Sequence, residues 1–201
     1  HEMADQGAMF EAFGATARRA RTRQEAIAST VLALRDAWGP PPTGGYIGIP
    51  SDVLGEEWTA AIPHIPRLPA PGADPHDVTD LAELLRMSPR VVLWLGGGVI
   101  AAGAEEQAAA LATRLGAPVA TSYAGRGLLA GHPMLVDAPV HEPEVGALLA
   151  EADMLLVLGS SFDGMNTKNW RIALPARRAA ITLGAPVRQT IEFDCLISAD
   201  V

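Results

Sequence analysis

Five apolar residues in a row, Val91-Val92-Leu93-Trp94-Leu95, run into three glycines, Gly96-Gly97-Gly98, and the hydrophobic pattern of the chain is organised around that junction. An unbroken apolar run of this length is what a parallel strand buried on both faces requires. The glycines let the backbone turn and approach a helix or a ligand without Cβ obstruction. From Ala104 to Leu115 the period lengthens, with Ala108, Leu111, Ala112 and Leu115 on one helical face. Gly116 and Pro118 stop that helix, one by capping its C-terminus and the other by being unable to continue it. Pro118 to Ser122 is strand-like again. Strand, turn, helix, strand is a βαβ crossover, the building block of a doubly wound parallel sheet.

The same patterning predicts the neighbouring elements. A helix from near Asp77 turns Leu81, Leu84 and Leu85 inward and ends before Ser88-Pro89. Pro143-Glu144 opens another that carries Val145, Leu148 and Leu149. Asp153 to Gly159 is a third buried strand, Ala179 to Gly184 a fourth and Glu192 to Ile197 a fifth, while Tyr123 to Pro133 and Ser160 to Trp170 read as loops. Residues 77–201 therefore form an α/β domain, a Rossmann-like doubly wound parallel sheet.

Upstream, Thr22 and Glu25 have capping-box spacing for a helix that begins at Arg23 and places Ile27, Val31, Leu34 and Trp38 on one face. Tyr46 to Ile49 is a short strand. Residues 1–23 carry few signals beyond an apolar patch of Met9, Phe10 and Phe13. One helix and one strand cannot bury both faces of a sheet. Residues 1–53 are accordingly expected to be the C-terminal remnant of another α/β domain, with 46–49 an orphan strand that docks, pairs with another copy or is poorly ordered. Residues 54–76, punctuated by Pro63, Pro66, Pro69, Pro71 and Pro75, read as an extended Pro-rich linker pinned by Trp58, Ile62 and Ile65.

Composition narrows the function. Hydrophobic residues at 49% and charged residues at 19% of 201 describe a globular chain. A net charge of −8 and a pI near 5.0 argue against nucleic-acid binding, and the cluster Arg18, Arg19, Arg21 and Arg23 reads as a solvated helix end or linker. The single cysteine, Cys195, excludes an internal disulfide, fits a reducing compartment, and reads as a small core residue rather than a nucleophile. With no apolar run near the roughly 18 residues of a membrane helix and no signal segment at the start, the expectation is a cytoplasmic protein without a membrane partner. The histidines lack ligand spacing, so no metal site is expected. The chain opens on His1 and is expected to be cut from a longer one.

Three places could carry chemistry. Gly96-Gly97-Gly98-Val99-Ile100-Ala101 fits the loose G-x-G-x-x-G/A fingerprint, in which helix N–H groups meet a diphosphate. No carboxylate closes the following strand, however, and a tight turn with close helix packing is the preferred reading of the glycines. Gly159-Ser160-Ser161 follows a buried strand, where two hydroxyls could hold phosphate or ribose or simply satisfy loop backbone groups. Arg126, between two glycines, could clamp a phosphate or a neighbouring carboxylate. The candidate cofactor-binding set is thus Gly96, Gly97, Gly98, Arg126, Gly159, Ser160 and Ser161, with FAD or ADP as possible ligands. No catalytic constellation emerges: there is no G-x-S-x-G elbow, no credible Cys–His pair, no P-loop and no framed carboxylate pair.

The order of motifs resembles the thiamine-diphosphate-dependent enzymes, the group of acetolactate synthase, benzoylformate decarboxylase and pyruvate oxidase. Gly48-Ile49-Pro50-Ser51-Asp52-Val53 is similar to the end of their pyrimidine-binding domain. Gly103-Ala104, Leu111-Ala112, Leu115-Gly116-Ala117-Pro118-Val119, Gly125-Arg126-Gly127 and His132-Pro133 match the start of their central domain in order. Asp153 to Phe162 and Ile197-Ser198-Ala199-Asp200-Val201 match later parts, so the likeness is collinear from about 44 to 201. It implies a central domain of the DHS-like NAD/FAD-binding type, partnered by the remaining pyrimidine and diphosphate domains of a parent expected to be a homo-oligomer. That parent is a lyase or transferase that makes or breaks a C–C bond beside the carbonyl of a 2-keto acid, using thiamine diphosphate and Mg²⁺. The family's activating glutamate and its GDG…N segment fall outside these residues, so no thiamine-binding role carries over to any position here. The expectation is a structural fragment, with nucleotide binding left open, that is inactive alone; the alternative is a stand-alone FAD or adenine-nucleotide module.

Overall fold

The computed structural model describes residues 3–39, 42–65, 68–184 and 191–201. The chain divides into two compact units, 1–70 and 71–201.

In the first unit, Asp5 caps α1 (Gln6–Ala12) by accepting from the Ala8 N–H. Strand β1 (Thr16–Arg19) and β2 (Gly45–Gly48) pair in parallel across α2 (Arg23–Ala37), and the short α3 (Ser51–Leu54) follows. As the capping spacing predicts, α2 starts at Arg23: the Thr22 hydroxyl accepts from the Glu25 N–H, and the Glu25 carboxylate returns to the Arg21 N–H. The expected orphan strand is thereby corrected, because β2 has a partner. That partner left no mark in the pattern, since Thr16-Ala17-Arg18-Arg19 does not alternate and is held by backbone pairing and by ion pairs of Arg18 with Asp36 and Arg19 with Asp5. Phe10 stacks on Tyr46 at 4.7 Å, whereas Phe13 is exposed and outside the expected patch. Of the three residues expected to pin the proline-rich segment, Ile62 does not, being 88% exposed, while Trp58 is 36% exposed and Ile65 half-buried.

The second unit is a five-stranded, all-parallel sheet of order β4-β3-β5-β6-β7, made of β3 (Val91–Leu95), β4 (Val119–Thr121), β5 (Met154–Leu158), β6 (Arg177–Ile181) and β7 (Cys195–Ile197). In the domain's own sequence this is the 2-1-3-4-5 order of doubly wound folds. Strand alternation sorts the core. Val91, Leu93 and Leu95 face one layer with Leu81 of α4 (Pro75–Arg86) and Ala108 and Ala112 of α6 (Glu105–Leu115). Val92 and Trp94 face the other layer with Val145 and Leu149 of α7 (Pro143–Glu151). Both faces being covered, β3 and β5 are buried throughout and had to be apolar throughout.

Several boundaries move. Helix α4 begins at Pro75, capped by Asp74, two residues before the expected start. Gly97 and Gly98 open a short helix of their own, α5 (Gly97–Ala102), ended by Gly103 in the left-handed region (φ 67°). Strand β6 begins at Arg177 and β7 only at Cys195. The polar β5–β6 loop turns inward, burying Phe162, Asn166 and Thr167 in place of a crossover helix.

Candidate functional site

In doubly wound sheets ligands sit beyond the C-terminal strand ends where the winding reverses, here between β3 and β5. The chain itself fills that position. Gly96 N–H donates to Leu158 O at 2.8 Å and Gly98 N–H to Gly159 O at 2.8 Å. A Cβ on Gly96 would lie 2.2 Å from Gly159 O, and one on Gly98 would lie 2.7 Å from Gly159 Cα. Gly159 itself is left-handed at φ 59°. The three glycines thus permit a backbone-on-backbone crossing between the β3 and β5 turns.

The adjoining hydroxyls are engaged as well. Ser160 Oγ, buried, accepts from Trp94 Nε1 at 3.3 Å and from the Phe162 N–H at 3.2 Å. Ser161 is exposed and donates to Asp163. Burial works to raise the Asp163 pKa, but hydrogen bonds from the Asn166 backbone and side chain, Ser161 and the Met165 N–H outweigh it and hold the carboxyl below its ordinary value. Asn166 Oδ1 also accepts the Tyr123 N–H at 2.9 Å. The β5 loop is so tied to the 3₁₀ turn at Tyr123–Gly125 after β4. Asn166 lies in the segment that the sequence reads only as loop; an Asp-x-x-Asn spacing behind a buried strand is its one local signal.

Arg126 stands apart from this knot. It is exposed and lines a concavity of about 390 Å³ bounded by the turn after β4 and by the return segment to Val140. Of the predicted residues, the structure therefore brings together Gly96, Gly97, Gly98, Gly159 and Ser160, leaves Ser161 at the rim of the β5 loop, and puts Arg126 in a separate pocket. Cys195 is half-buried in β7, where burial and then Asp77 and Asp80 push the thiol's pKa up, away from nucleophile chemistry.

A family model described as "Thiamine pyrophosphate enzyme, central domain" matches residues 78–192, more than half of the chain. The chain belongs to that family. It is 35% identical over 201 residues to "Probable 2-ketoarginine decarboxylase AruI" of Pseudomonas aeruginosa, a match covering 96% of this chain and 34% of that protein. It is 34% identical over 131 residues to an acetolactate synthase of Mycobacterium bovis, covering 61% of this chain and 21% of that one. The benzoylformate decarboxylase structure from Polynucleobacter necessarius superposes with a TM-score of 0.69 at 17% identity, over 92% of this chain and 36% of the other, a likeness of fold. The chain spans about a third or less of the length of these relatives.

At the switch point the residues present do not fit a diphosphate. Among the described residues no group of three or more His, Cys, Asp or Glu comes together to hold a metal ion. The Gly96 and Gly98 N–H groups that a diphosphate would need are already donating to carbonyls. Nor is any helix of the described residues long and apolar enough to cross a membrane.

Proposed function

We propose that this chain serves a thiamine-diphosphate-dependent enzyme acting on a 2-keto acid, as the rigid central domain between cofactor-binding parts that it does not itself supply. The observation that carries this reading is the sealed switch point. The place where such a sheet would hold a nucleotide is occupied by the Gly98–Gly159 crossing, while the residues around it are spent on internal hydrogen bonds. Decarboxylation is favoured over carboligation because the relative named as a 2-ketoarginine decarboxylase aligns along 96% of the chain, against 61% for the acetolactate synthase. The two-stranded β1–β2 sheet supports a need for further domains or a second copy, since so small a sheet is marginal by itself.

Calorimetric titration of the 201-residue chain with thiamine diphosphate and Mg²⁺ is expected to give no binding heat, and FAD and ADP no thermal shift. Tight binding of thiamine diphosphate would overturn the proposal; a saturable shift with FAD or ADP would replace a structural role by a nucleotide-binding one.

A further inference from the structure

The concavity beside β4 is a built feature. Its far wall is held to the sheet: Leu135 bridges to Val119, Val119 N–H donates to Met134 O at 2.8 Å, and Val136 N–H donates to Val119 O at 2.9 Å. Its near wall is the 3₁₀ turn anchored through Asn166. Between them Leu128 and Val140 are buried and give an apolar floor. At about 390 Å³ the space is within the range of small-molecule sites.

What sets it apart is its charge. Arg126 and Asp137 both line it, and neither side chain makes a hydrogen bond or ion pair with any described residue. Arg90 pairs with Asp153 at 2.9 Å and Arg18 with Asp36 at 2.7 Å, whereas Arg126, like Arg21, Arg86, Arg114 and Arg171, has no side-chain partner among the described residues. Two opposite charges in one pocket, unpaired with each other and over an apolar floor of Leu128 and Val140, are complementary to a molecule with the inverse arrangement. His132 in the same wall has both ring nitrogens engaged: Nδ1 accepts the Met134 N–H at 3.2 Å, and Nε2 lies 3.1 Å from Thr113 Oγ1.

We propose that this pocket binds a small aliphatic zwitterion, a carboxylate held by the Arg126 fork and a terminal ammonium or guanidinium held by Asp137. Arg126 presents a planar fork suited to bidentate carboxylate contact. Asp137 accepts from either kind of cation, and Leu128, Val136 and Val140 meet the methylenes. The site is distinct from the Gly98–Gly159 crossing and stands or falls independently of the central-domain reading.

The test is titration of the full chain, followed by amide chemical shifts, with aminobutanoate, aminopentanoate and aminohexanoate bearing terminal amines. Pentanoate and pentylamine serve as single-charge controls. At least one zwitterion is expected to saturate, shifting amides at 123–128 and 134–140, with an affinity about tenfold or more above either control, since each loses one ion pair. Arg126→Gln and Asp137→Asn should each reduce that affinity to the level of a control, and the exchange Arg126→Asp with Asp137→Arg should restore it. Both positions are exposed, and unchanged amide dispersion of the variants shows that the fold persists. Pentanoate binding as tightly as the zwitterions, perturbations confined to other surfaces, no saturation by any probe, or failure of the exchanged pair to rescue would each overturn the proposal.

Discussion

At the scale of single residues, glycines that look alike in the sequence do opposite work. Gly98→Ala would drive a methyl into Gly159 backbone 2.7 Å away, where neither chain can yield without breaking the bond between them. A loss of about 3 kcal/mol is expected from urea unfolding. Gly146, inside α7 with nothing within 4 Å of its would-be Cβ, carries only the helix penalty, so Gly146→Ala should gain about 0.5–1 kcal/mol in the same assay. Asp163 gives a pH signature. Its carboxyl is held below the ordinary value of 3.8, so its contribution is fully present above that pH and is lost as pH falls through the depressed folded value. Asp163→Asn should flatten the acid limb of the stability profile below about pH 4; an unchanged limb would show that other carboxylates dominate.

At the scale of elements, the loop between β5 and β6 does the job of a missing crossover helix. Phe162 packs edge-on to Trp94 at 4.8 Å, and Ile172 and Leu174 join the same apolar layer as α7. Asn166 joins this loop to the turn after β4, donating to Asp163 and accepting from Tyr123. Asn166→Ala should cost about 1–2 kcal/mol and speed hydrogen exchange at Tyr123 and Gly125, because their loop loses its tether. Lys168, Asn169 and Trp170 in succession are left-handed, at φ 53°, 55° and 58°, a local strain held by Trp170 N–H to Thr167 and its indole to Phe162 O. None of this reversal is written in hydrophobic periodicity, which is why Ser160 to Trp170 reads in the sequence as ordinary polar loop.

At the scale of the molecule, the two units are unequal. The unit 71–201 has five paired strands and apolar layers on both faces, enough for independent stability, whereas 1–70 has two strands. A chain truncated to 71–201 should unfold cooperatively with a denaturant midpoint close to that of the same unit in the full chain. Loss of cooperativity on truncation would show that the first unit contributes to its stability. In the arginine cluster of the first unit, Arg18 and Arg19 lie in β1 and pair with Asp36 and Asp5, and Arg23 lies 3.8 Å from Glu56, while Arg21 has no side-chain partner among the described residues.

The parallel sheet and its two-faced burial were decided by the sequence alone. Val91 to Leu95 and Met154 to Leu158 have no polar face to turn outward, and a strand of that kind is stable only between two layers. Helix ends at Arg23 and Gly116 were legible for the same reason, since capping is local chemistry. Only the tertiary structure decided that β1 exists, that Gly98 crosses Gly159, that Asn166 bridges two loops, and that Arg126 and Asp137 share a pocket. Each of these depends on residues far apart along the chain being brought within a few ångströms, a coincidence that no local period can encode.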